Sequence, residues 1–144
     1  IVEAMGNITD DYASMKDYQE ALHYGKLVDS IVITMDINHP YFKRAQWEAK
    51  NTTATAYYHL HVPDSALYYA KEMKAIHIKG IRYLATGDLL LANIYTEKGN
   101  SDAAFSFYRQ AINGIAAYFD LTVAQVHDGM ARLFQKENKP DSAL

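Results

Sequence analysis

The five residues Pro-Asp-Ser-Ala-Leu occupy Pro63–Leu67 and return unchanged at Pro140–Leu144. Their surroundings align without a gap. Ala54, Tyr57, Pro63 and Ala66 stand at the same offsets as Ala131, Phe134, Pro140 and Ala143. The same template finds two more copies. One runs through Ala92, Tyr95, Gly99, Asn100 and Ala104, the other through Thr9, Tyr12, Lys16, Asp17 and Ala21. In all four, a small residue precedes an aromatic by three positions and an alanine by twelve. Self-similarity of this kind marks a stack of supersecondary units, each too small to bury its own apolar face.

The spacing has a direct physical reading. Residues three apart lie on one helix face, so the small residue lets a neighbouring helix approach while the aromatic fills the gap beside it. A turn follows; Lys98-Gly99-Asn100 is the clearest, with glycine suited to a helix C-cap. The second helix carries alanine at its closest crossing and continues the apolar stripe through Ala104, Tyr108, Ala111 and Ile115, a helical period. The prolines agree with this division. Pro63 and Pro140 open second helices, with Asp64 and Asp141 next to them favouring the positive end of the macrodipole. Pro40, after Asn38 and His39, is expected to open another helix. The resulting map is all-α: helices near 2–15, 18–33, 41–60, 64–78, 80–98, 102–118 and 121–137, and an eighth cut off after Pro140. A loop near Thr34–His39 separates the second from the third. The β-branched run Ile31-Val32-Ile33 continues a helix stripe.

Composition fits this reading. Of 144 residues, 49% are hydrophobic and 22% charged, the balance of an ordinary globular domain. The absence of cysteine excludes a disulfide framework, a thiolate zinc site and a cysteine nucleophile. A net charge of -3 lacks the basic footprint of a nucleic-acid binder. Residues 1–36 carry seven acids against two bases, the remainder ten acids against twelve bases. That asymmetry would guide a charged partner, or would simply solvate helix surfaces. No apolar run reaches the ~20 residues of a membrane span. The chain begins at Ile1 and stops inside a helix, and reads as a piece of a longer protein.

The motif Lys98-Gly99-Asn100 with Ala104, Tyr108 and Ala111, and its three companions, resembles the tetratricopeptide repeat. The resemblance covers nearly the whole chain, as units of about 2–36, 40–79, 80–119 and 120–144, the last incomplete. It implies antiparallel helix pairs stacked into one right-handed solenoid. The alanines at 21, 66, 104 and 143 lie 45, 38 and 39 residues apart, longer than the ~34 of the standard unit. Gly25 also stands where the family usually has a bulky residue, predicting loose packing there. Such long units resemble those of bacterial regulators, and the wording PDSALYYA at Pro63–Ala70 is most similar to repeats attached to sensor histidine kinases.

The resemblance implies a non-catalytic region of a signal-transduction protein, in the bacterial cytoplasm or periplasm, that holds a protein or peptide and needs no cofactor. The first helix of each unit then lines a concave groove. Carried over by register, its positions are Asp10, Asn51, Thr55, Tyr58, Asn93, Thr96, Asp128 and Arg132. Asparagine amides there suit a peptide backbone and Arg132 suits a carboxylate; alternatively these residues are only the wet side of the solenoid. One family mode grips a peptide's terminal carboxylate with lysine, but that position reads Gly6, Asn51, Leu89 and Asp128 here, so a chaperone-tail receptor is not expected. A second reading is a peptide-sensing transcriptional regulator. Tyr58, Tyr68, Tyr69 and Tyr83 are not all absorbed by the core pattern and are candidates for a contact surface. Met130, Leu133 and Phe134 are expected to need a further helix to cover them, so self-association through that end is anticipated.

A reading of another class, a metal protein or enzyme, has little to stand on. The histidines His23, His39, His59, His61, His77 and His127 include no pair at three or four residues, the spacing that aims two ligands from one helix face. Glu20 and His23 match half a di-iron motif, without a second copy. Asp10 and Asp11 are adjacent and diverge on a helix. No nucleophile elbow, phosphate loop or dinucleotide motif occurs.

Overall fold

A computed structural model describes residues 15–115 and 120–137. Every regular element among them is helical: α1 (Tyr18–Val32), α2 (Phe42–His59), α3 (Pro63–Ala75), α4 (Ile81–Glu97), α5 (Ser101–Ile115) and α6 (Asp120–Lys136). Six helices stand where six of the expected seven were placed, with ends shifted by up to three residues. The expected helix over residues 2–15 and the start of an eighth at Pro140 lie outside the described residues. No helix among the described residues is long and apolar enough to cross a membrane. The chain divides into two compact units, Ile1–Ile78 and Lys79–Leu144.

In the first unit α2 packs against both α1 and α3. Helix α1 starts at Asp17, whose carboxylate accepts the Glu20 backbone N–H at 3.3 Å, satisfying one orphan donor of the first turn. It buries Ala21, Gly25, Val28 and Val32, steps of four, three and four that make one helical stripe. Val28 and Val32 meet Ala45 and Ala49 of α2, with Met35, Tyr41 and Phe42 closing the end of this core. The connection through Ile33–Tyr41 is held by local bonds, among them Asn38 N–H to Asp36 Oδ1 at 2.9 Å. Pro40 sits in that turn, two residues before α2 begins.

Gly25 does not loosen the packing. A Cβ placed on it would lie 2.7 Å from Thr53 Oγ1 and 3.4 Å from the Thr53 backbone nitrogen. The missing side chain is the space that Thr53 fills, so α1 and α2 meet backbone to side chain.

The second unit is built on α4 and α5, with α6 packed chiefly on α5. Ala85 and Ala92 of α4, Ala104, Tyr108 and Ala111 of α5, and Val126 and Leu133 of α6 form one buried cluster. Ala104, Tyr108 and Ala111 of the expected stripe therefore form the core face of α5. Leu133 is 1% exposed, Met130 packs against the cluster, and Phe134 lies 4.5 Å from Phe105 between ring centroids. Leu133 is thus covered within the unit, while Met130 and Phe134 stay partly exposed; the further helix expected to cover them lies outside the described residues.

The turns repeat in geometry as well as in sequence. Lys16, His61 and Gly99 have φ of 60°, 57° and 75°. Each stands five residues before Ala21, Ala66 or Ala104, all 0% exposed. After α2, the Val62 N–H reaches Tyr57 O at 3.0 Å and the His61 N–H reaches Tyr58 O at 3.1 Å. After α4, Asn100 and Gly99 do the same to Tyr95 O and Thr96 O, at 2.9 and 3.1 Å. Both are Schellman closures, which need a left-handed residue at that point. Stacked rings repeat with them: Tyr57 on Tyr69 at 5.6 Å and Tyr95 on Phe107 at 5.7 Å.

A left-handed conformation costs a residue with a Cβ about 1–2 kcal/mol, and glycine little. His61→Gly is therefore expected to raise the unfolding free energy by about 1 kcal/mol, and Gly99→Ala to lower it by a similar amount, in urea titrations followed by circular dichroism.

Candidate functional site

Three of the groove positions expected from the sequence fall on α2. Asn51 is half-buried, and its Oδ1 is shielded from solvent without a hydrogen-bond partner. Thr55 and Tyr58 are half-buried, Tyr58 standing edge-on to His59 at 5.0 Å. Asp10 lies outside the described residues.

Beside them the structure has a cross-helix network that the sequence did not announce. The Lys50 ammonium donates to Asp29 Oδ2 of α1 at 2.7 Å and lies 3.8 Å from Glu72 Oε2 of α3 and 5.4 Å from the Tyr69 ring centroid. Burial works against the charged amine, but the hydrogen bond and field of Asp29, then Glu72 and Tyr69, outweigh it and hold its pKa above the ordinary value. Lys26 of α1 lies 5.1 Å over Tyr57, the ring stacked on Tyr69. Tyr57 and Tyr69 are thus occupied in joining three helices, a structural task. Tyr68, at 59% exposure, is the tyrosine of this group that faces solvent.

The other four groove positions, Asn93, Thr96, Asp128 and Arg132, lie in the second unit, and two of them, Asn93 and Thr96, meet one buried phenol. Tyr108 of α5 is 1% exposed. Its hydroxyl donates to Asn93 Oδ1 of α4 at 2.7 Å and lies 3.5 Å from Thr96 Oγ1, whose own proton goes to Ala92 O at 2.8 Å. Burial pushes the phenol's pKa up, partly countered by the Thr96 hydrogen bond and the Arg132 charge; the Asp128 carboxylate reinforces the rise. The phenol therefore keeps its proton across the neutral range and acts as a donor. On α6, Arg132 Nη1 pairs with Asp128 Oδ2 at 2.8 Å, both side chains about two-thirds exposed. One turn further on, the Lys136 ammonium reaches Thr96 O at 3.5 Å. Gly129 makes room for this arrangement: a Cβ there would lie 2.8 Å from the Tyr108 hydroxyl and 2.9 Å from two ring carbons.

Chemically, the cluster offers donors on a half-buried floor with two cations beside it, suited to hydrogen-bonding recognition. The six histidines are exposed, as are Glu20 and His23, and among the described residues no three His, Cys, Asp or Glu side chains gather where they could hold a metal ion. Asp11 lies outside the described residues. Compared with protein-family models and with curated proteins, the chain matches none.

Two outcomes follow from the Tyr108 environment. Gly129→Ala, normally favourable inside a helix, is expected to destabilise by about 1–3 kcal/mol through overpacking against the buried ring, as read from urea midpoints. The folded-state pKa of Tyr108 exceeds the unfolded value, so its contribution to stability is intact below pH about 10 and falls as pH rises through the folded value. Tyr108→Phe is expected to lose less stability than the wild type over that alkaline range.

Proposed function

We propose that this chain is a non-catalytic helical-repeat region of the tetratricopeptide type, which binds a peptide or protein segment through the first helices of its units. The stacking of its helix pairs into a right-handed solenoid is part of the same reading. The observation that carries it is the meeting of Asn93 and Thr96 of α4 at the Tyr108 hydroxyl, with the exposed Asp128–Arg132 ion pair on α6, the helix whose Gly129 lies against the same ring. Two positions assigned to the groove by register alone share one phenol, and two more pair with each other on the neighbouring α6. The recurrent turn geometry at Lys16, His61 and Gly99 supports a repeat architecture, since each recurrence precedes a fully buried alanine by the same interval.

The arrangement suits recognition better than turnover. A catalyst needs a nucleophile or base poised against a reacting atom, whereas this cluster consists of amide, hydroxyl and fixed-charge groups that hold and orient. Long units of this kind resemble the sensory regions of bacterial signal-transduction proteins such as sensor histidine kinases, and that setting is proposed on resemblance alone.

A pool of dodecapeptides, acetylated and amidated at their ends, tests the reading. The protein is expected to retain a defined subset, and Arg132→Ala and Asn93→Ala to weaken that retention by about tenfold or more, as loss of a charge-assisted or buried hydrogen bond implies. A fold intact by circular dichroism with no peptide retained would refute the proposal.

A further inference from the structure

The Tyr108 hydroxyl fixes which end of the Asn93 amide can meet a ligand. An asparagine side chain has one accepting oxygen and two donating N–H groups, and in isolation it serves acceptors and donors alike. Here the oxygen is occupied, because Tyr108 donates to Asn93 Oδ1 at 2.7 Å. The phenol cannot withdraw by rotating: its ring is buried in the core cluster with Ala92, Ala104, Ala111, Val126 and Leu133 and lies against Gly129. Thr96 donates to Ala92 O at 2.8 Å rather than to Asn93. The Asn93 amide is thereby held with Oδ1 toward Tyr108, and its two Nδ2 protons remain on a half-buried side chain with no partner among the described residues.

The neighbouring groups have the same polarity. Arg132 and Lys136 carry only donors. Arg132 gives one of its five to Asp128, and Lys136 makes one long contact to Thr96 O. The acceptors of the group are Asp128, engaged by Arg132 on its own helix, and the Thr96 hydroxyl oxygen, 3.5 Å from the Tyr108 hydroxyl. Glu97 and Glu137, next in sequence to Thr96 and Lys136, have interactions of their own.

We infer that Tyr108 is a positioning residue that makes Asn93 a pure donor, so that the site takes a main-chain carbonyl of a bound peptide and rejects a main-chain N–H at that point. This rests on the peptide-binding reading above and adds the chemistry of the contact. A half-buried donor that a bound peptide shields from water and that faces another donor would leave both unsatisfied, which is how a fixed amide discriminates. Sequence tolerance follows, because every residue of a peptide offers the same carbonyl.

The test uses the capped peptide retained most strongly by the wild-type chain, with affinity measured by calorimetry, and asparagine labelled with carbon-13 for observation of Asn93 Cγ. Tyr108→Phe removes the hydroxyl and keeps the ring. It is expected to shift the Asn93 Cγ resonance in the absence of peptide and to weaken binding by about threefold to tenfold, the value of one hydrogen bond. Asn93→Asp keeps an acceptor for Tyr108 and abolishes both donors; it is expected to lose binding with the fold retained. An unchanged Cγ resonance in Tyr108→Phe, or wild-type affinity in either variant, would overturn the inference and leave the peptide-binding reading standing. Failure of the wild-type chain to retain any peptide would overturn both, and is distinguished because it needs no variant.

Discussion

Two helices can approach only as closely as the side chains at their crossing allow, and this protein depends on keeping those side chains small. Ala21, Ala54, Ala66, Ala70, Ala92, Ala104 and Ala111 are wholly buried, and Gly25 and Gly129 occupy positions where even a methyl group would press on a neighbour. Small residues bury little apolar area themselves. Their effect is indirect: they bring larger neighbours such as Met73, Leu91, Ile94 and Leu133 into full burial, where close packing adds dispersion to the hydrophobic term.

Close crossing also demands short, exact turns. The Schellman closures after α2 and α4 satisfy terminal carbonyls and reverse the chain within three residues. Pro63 and Asn100 then start the next helix in different ways. Pro63 has no N–H to leave unsatisfied, while Asn100 accepts the Ala103 N–H at 3.1 Å. The two solutions deliver Ala66 and Ala104 to equivalent crossings. His61 holds the same left-handed backbone as Gly99 despite its Cβ, which indicates that the surrounding bonds and packing, rather than the residue's own preference, set the conformation there.

The polar groups of the two units illustrate different uses of partial burial. Lys50 is surrounded by Asp29, Glu72 and the Tyr69 ring, so its charge is spent on joining α1, α2 and α3. Around Tyr108 the hydrogen bonds are satisfied inward, and the remaining donors of Asn93, Arg132 and Lys136 have no partner among the described residues. The first arrangement engages its cation with three partners, and the second keeps donors without a partner among the described residues, which is why the functional proposal rests on the second.

Much of the local structure was legible in the sequence. The PDSAL recurrence, the interval of twelve from small residue to alanine and the Lys98-Gly99-Asn100 turn located six helices and the buried stripe on α5, because backbone periodicity and turn chemistry are encoded within a few residues. The register also named Asn93, Thr96, Asp128 and Arg132. What it could not give was the meeting of Asn93 and Thr96 at Tyr108, a residue it assigned only to packing, or the inward lock on the Asn93 amide. Nor did it show that Gly25 tightens a crossing, that Leu133 is already covered, or that Lys50 ties three helices together. Each of those depends on which atoms of separate helices come within a few ångströms. Sequence spacing fixes the face on which a side chain lies; the partner across that face is decided only when the helices pack.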